Sequence, residues 1–166
     1  WKVYYTCSIC CNIVKKECDM SYSTDDIQYH EDDRAQRLLD IFKIIDGQLN
    51  VSYVSSTEHI VAWHKHNIQT DYWVCLKGAF KVGLAIPKND GTYEVKWEYL
   101  SDKNFRVLKI PPGVYHGYKA VESDSILLYY LTHKYNPDDE IRAKVGFFEE
   151  EWGTAVSYTH LRAHET

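Results

Sequence analysis

Three histidines and one aspartate are spaced in this sequence so that they could share one task. His64 and His66 lie in Ala62-Trp63-His64-Lys65-His66, where strand alternation sends both imidazoles to the same face. Asp71 follows, Gly78 closes the segment, and His116 comes just after Pro111-Pro112-Gly113. Imidazole is the side chain whose ordinary pKa lets it take or give a proton near neutrality. Two such rings on one wall fit general acid–base work on a small molecule. The same four groups, three imidazoles and a carboxylate, are also a reasonable donor set for Zn²⁺, Fe²⁺ or Mn²⁺.

The elements that must hold these residues read as short strands. Tyr93 to Tyr99 alternates strictly, with four large side chains on one face and three charges on the other. Phe80 to Ile86 alternates more weakly and ends at Pro87; Asn89-Asp90-Gly91 between the two runs is a hairpin signal. Phe105 to Ile110 is a further strand, closed by Pro111-Pro112-Gly113. Ile126 to Thr132 is nearly continuous in apolar and aromatic residues, as expected of a strand buried on both faces. Arg34 to Ile45 fits a helix or an early strand equally well. Many short strands with turns between them indicate an all-β sandwich or barrel.

Bulk properties narrow the partners. The chain has 166 residues, a net charge of −5, and 45% apolar residues. That suits one globular domain and gives no positive field to gather a nucleic-acid polymer or an anionic membrane. No apolar run approaches the roughly 18 residues that span a bilayer. Four of the five cysteines (Cys7, Cys10, Cys11, Cys18) crowd the start, and Cys75 stands alone as a small buried apolar residue. A secreted disulfide framework would spread them through the fold, so a reduced, cytoplasmic protein is expected. Residues 1–19 read as a non-native or disordered leader before Met20, and residues 20–155 as the domain, truncated at its C-terminal end. Residues 156–166 resemble the translation of a sequencing adapter, which sets His160 and His164 aside.

His64-x-His66, Asp71 and Gly78 resemble the first cupin motif, and Pro111-x-Gly113-x-x-His116 resembles the second. Within the cupins the chain is most similar to the dTDP-4-dehydrorhamnose 3,5-epimerase family. The carriers are Asp32-Asp33-Arg34, Ile110-Pro111-Pro112-Gly113-Val114-Tyr115-His116-Gly117-Tyr118, and Tyr129 with Thr132 and Tyr135-Asn136-Pro137. The resemblance implies an all-β, cupin-type double-stranded β-helix (a jelly-roll barrel). It also implies epimerisation of a nucleotide-linked 4-keto-6-deoxyhexose, with His64 as base and Tyr129 as acid, and Arg34, His66, Asp71, His116 and Tyr135 contacting substrate. No metal or other cofactor is expected, and a homodimer is.

The match is uneven around the chemistry. Val61 and Ala62 stand where the family has Arg and Gly, and Asp71 stands where it has a Lys. That exchange removes a cation from the place where enolate charge develops. His66 is a second histidine that the epimerases lack. Three alternatives therefore stay open: a 3,4-ketoisomerase using the His64/His66 pair, a metal-binding cupin, and a sugar-binding cupin without catalysis.

Overall fold

The computed structural model describes residue 26 and residues 28–42 and 45–153; the leader at 1–19 and the tail at 156–166 lie outside them. The chain first lays down β1 (Gln28–Glu31), β2 (Gln36–Leu39), β3 (Gln48–Val54), β4 (Ile60–His66) and β5 (Asp71–Lys77). It continues through β6 (Ala79–Pro87), β7 (Tyr93–Ser101), β8 (Leu108–Ile110), β9 (Tyr115–Ala120), β10 (Ser125–Leu131) and β11 (Glu140–Arg142). Among the described residues one 3₁₀ turn, Pro137–Asp139, precedes β11. One sheet has the order β1-β2-β3-β10-β5-β8 and the other β11-β4-β9-β6-β7. From β3 onward the chain changes sheet at every connection except the β6–β7 hairpin. This is the double-stranded β-helix that the motifs imply.

Between the sheets, Trp73, Cys75 and Leu127 pack against Phe80, Val82 and Tyr118. Towards the Asp71 end of β5 and the Leu131 end of β10, the inward side chains turn polar and the barrel opens. A second apolar layer covers the outer face of the five-stranded sheet, where Trp63, Ala85 and Tyr115 meet Trp152 and Phe148. Gly83 is required there: a Cβ would lie 2.4 Å from the Trp63 ring. The Glu150 carboxylate ties the layer together, accepting from the Trp63 indole at 2.8 Å, the Trp152 indole at 3.2 Å and the Gly146 amide at 2.7 Å.

The β6–β7 hairpin forms as expected, with Gly91 at positive φ in its turn. Three expectations change. The ambiguous early segment is a strand, β2, because it pairs with β3. Only Leu108–Ile110 of the Phe105 run is a strand; Arg106 bonds Glu98 and the Tyr99 carbonyl instead, and Phe105 is exposed. β10 is central, but only its inward face (Ser125, Leu127, Leu131) is sealed; Ile126, Leu128 and Tyr130 on the outer face are half-buried.

Candidate active site

The open end of the barrel is a cavity of about 1120 Å³, walled on one side by the five-stranded sheet and on the other by β3, β5 and β10. On β4 the alternation works as the sequence implies: Trp63 packs outward while His64 and His66 face in, their rings 5.3 Å apart. β9 runs antiparallel beside β4 and sets His116 opposite His64, with ring centroids 4.2 Å apart. β5 begins at Asp71, whose carboxylate accepts from the Gln69 amide at 2.7 Å and the Trp73 indole at 3.2 Å. His116 Nε2 stands 3.3 Å from Asp71 Oδ2, and its Nδ1 donates to the Val114 carbonyl at 3.0 Å. One ligand-capable atom from each of His64, His66, Asp71 and His116 falls within 4.8 Å of all the others.

The surroundings decide the protonation states. Burial, and then the His116 ring, pull His64 well below the ordinary imidazole value, so it is neutral near pH 7. Burial lowers His66 as well. For Asp71, burial pushes upward, but the His116 ring and the Gln69 amide more than offset it and hold the acid ionised. Across the cavity, Tyr129 on β10 accepts a long hydrogen bond from the Ser52 hydroxyl at 3.4 Å. Burial pushes its phenol up to about 12. The cavity thus brings together a neutral imidazole and a protonated phenol.

The remaining candidates divide between rim and wall. Arg34 lines the cavity, but its guanidinium is held 2.7 Å from Asp32 Oδ2. Tyr135 is 57% exposed at the mouth, its hydroxyl 3.3 Å from Glu140. His116, expected against substrate, does not line the cavity; it is buried behind His64 and Asp71 because β9 is the inner neighbour of β4.

Two residues were missed. Arg37, nearly buried on β2 and 3.1 Å from Asp32, lines the cavity with Tyr118 and Tyr129. Reading β2 as a strand would have turned Arg37 inward. Asp139 accepts from the amides of Asn67, Ile68 and Gln69 and faces His66 Nδ1 at 3.8 Å. No local pattern announces that contact.

With this geometry in place, comparison with known proteins agrees on the family. The family model described as dTDP-4-dehydrorhamnose 3,5-epimerase matches residues 28–157, and the chain belongs to that family of sugar-nucleotide epimerases, built as cupins. It is 29% identical over 128 residues to the "Probable low-salt glycan biosynthesis epimerase Agl13" of Haloferax volcanii, covering 69% of this chain and 81% of that one. It is 28% identical over 131 residues to the "Spore coat polysaccharide biosynthesis protein SpsL" of Bacillus subtilis, covering 75% and 87%. Among solved structures, the rmlC epimerase of Mycobacterium tuberculosis shares the fold with a TM-score of 0.55 at 24% identity. That match takes in 61% of this chain, which spans about half of the other (53%). Among the described residues no helix is long and apolar enough to cross a membrane.

Proposed function

We propose that the cavity binds a dTDP-linked 4-keto-6-deoxyhexose and that the protein epimerises it at C3 and C5. The 4-keto group acidifies its neighbouring C–H bonds; neutral His64 removes one proton, and the Tyr129 phenol returns a proton from the opposite side of the ring. The observation that carries this reading is that His64 and Tyr129 line one cavity from its two opposed sheets. The volume exceeds the roughly 300–1,000 Å³ common for small-molecule sites, which suits a sugar with a nucleotide attached. Arg34, His66, Asp71 and Tyr135 contact the substrate in this reading, and His116 acts on His64 from behind. The names of the two relatives, in glycan and spore-coat polysaccharide biosynthesis, fit a biosynthetic role. The working form is a cytoplasmic homodimer.

Incubation of chelator-treated protein with the 4-keto-6-deoxyhexose nucleotide in D₂O tests the proposal. Deuterium is expected at C3 and C5, and its absence with bound substrate overturns it. The 5.3 Å spacing of His64 and His66 favours a second reading, 3,4-ketoisomerisation. A carbonyl that moves from C4 to C3 would select that one instead.

A further inference from the structure

Arg37 lines the cavity from β2 with its side chain only 12% exposed. The strand register fixes its depth. Arg37 lies opposite Ser52 on β3, and Ser52 lies opposite Leu127 on β10. Residues directly opposite one another share a face of the sheet, so all three point inward. Leu127 is fully buried, which puts Arg37 at the floor of the cavity, where the polar wall meets the apolar core. The Ser52 hydroxyl beside it reaches the Tyr129 phenol at 3.4 Å. Burial pushes the Tyr129 and Tyr118 phenols up, and the Arg37 charge opposes that rise in both.

This charge is only partly balanced. Arginine stays protonated even when buried. Its ion-pair partner is Asp32, whose Oδ2 is 3.1 Å from Arg37 and 2.7 Å from Arg34. One carboxylate thus faces two guanidiniums, and its other oxygen is taken up by the Arg34 and Ala35 amides. Other cations along the cavity differ. Glu140 holds Arg142 with both oxygens, Asp40 holds Lys134, and Lys144 is exposed to solvent. The contacts of Arg37 to Asp32 and to the Ala35 carbonyl use Nη1 alone, so donors remain for a ligand. A surplus charge in a wall shielded from water is costly unless an electron-rich group meets it.

We infer that Arg37 stabilises the negative charge that forms on the substrate's keto oxygen when a neighbouring carbon is deprotonated. This role rests on the proposed epimerase reading and deepens it. As His64 takes the proton, the electron pair of the broken C–H bond becomes a C=C bond and the carbonyl π pair moves onto oxygen. A guanidinium already fixed beside that oxygen holds the charge without reorganising. When Tyr129 returns a proton to carbon, the C=O bond re-forms; His64 and Tyr129 then recover their own protonation states by exchange with solvent. Asp71, where the related epimerases carry a Lys, offers the enolate no cation. Arg37 returns one from a different strand.

The test compares the unmutated protein with Arg37→Gln and Arg37→Ala in D₂O, with the dTDP-linked 4-keto-6-deoxyhexose at saturation. Exchange at carbon is expected to fall about 10²–10³-fold, while KM and the affinity for dTDP change by less than about threefold. Dilute guanidinium salt should restore part of the Arg37→Ala rate, which a purely structural role would not allow. An undiminished rate, or a loss confined to KM and dTDP affinity, overturns the inference. Because either variant could fail to fold, substrate labelled with ¹³C at C4 gives a second reading on the unmutated protein. Its carbonyl resonance should move downfield on binding, as a polarised carbonyl does; an unmoved resonance overturns the role. No exchange in the unmutated protein defeats the epimerase reading itself, whereas exchange that survives in the variants defeats only the role of Arg37.

Discussion

Tyr129 sits in a wall that disfavours its anion, so its phenol stays protonated and available for the donor role proposed for it. Replacing it with Phe keeps the ring and removes the hydroxyl. Epimerisation is expected to fall about 10²–10⁴-fold. Stability should change by only about 0.5–1.5 kcal/mol, because the hydroxyl's one side-chain hydrogen bond is the long one from Ser52. Since burial pushes the phenol up to about 12, the unmutated enzyme should show no loss of rate on passing the ordinary tyrosine range near pH 10. A basic limb at about pH 10 that disappears in Tyr129→Phe would overturn this account of the acid. At this scale, residues in contiguous signatures were the legible ones: His64 and His66 share a strand, and His116 follows its own turn. Asp139 was not legible, because it serves amides 70 to 72 residues away and only the closed barrel brings them together.

β4 is the element on which the site depends, and its two faces do different work. Inside it presents the histidines; outside, Trp63 is clamped against Trp152 and Phe148 and bonded to Glu150. Glu150→Ala leaves two indoles and the Gly146 and Phe148 amides without their acceptor. Destabilisation of about 1–3 kcal/mol is expected, measured by denaturant unfolding. Burial works against the Glu150 charge, but the Gly146 amide and Trp63 indole hold its carboxyl below the usual range. The folded pKa is therefore below the unfolded one. This contribution is present in full above the unfolded value of about 4.3 and is lost as pH falls through the folded pKa. The stability curves of the two proteins should converge at acid pH; a gap that persists there argues against the carboxylate. Alternation exposed β7 in the sequence, since Glu94 and Lys96 face solvent between the half-buried Tyr93, Val95 and Trp97; β6 is buried on both faces, and the Asp90-Gly91 turn marked its pairing instead. β2 was ambiguous because four residues carry too little periodicity to separate strand from helix, and Arg37 was lost with it.

For the whole molecule, the outer face of the six-stranded sheet bears on the expected homodimer. Half-buried Leu128 and Val74 pair on that face beside the buried Val51, and the exposed Tyr53 and Leu76 flank them. This face is the surface through which the proposed homodimer would pair, a second copy being the proposed occupant. Tyr53 and Leu76 are 41% and 43% exposed in the single chain, so charging them should not disturb its core. Tyr53→Glu with Leu76→Glu is expected to convert a dimer into a monomer in light scattering; a monomeric unmutated protein would end that proposal. The cupin architecture itself was legible because two motifs set the strand order. What covers the sheet was not, since the same half-apolar strands serve a free surface and an interface.

The Trp73 indole that donates to Asp71 also packs edge-on against His116. An indole in that position is a built-in optical reporter. Neutralising or engaging Asp71 changes the electric field along the ring, so near-ultraviolet dichroism and emission should respond to whatever enters the cluster. Occupancy of the pocket can then be followed in the natural chain, with no label attached.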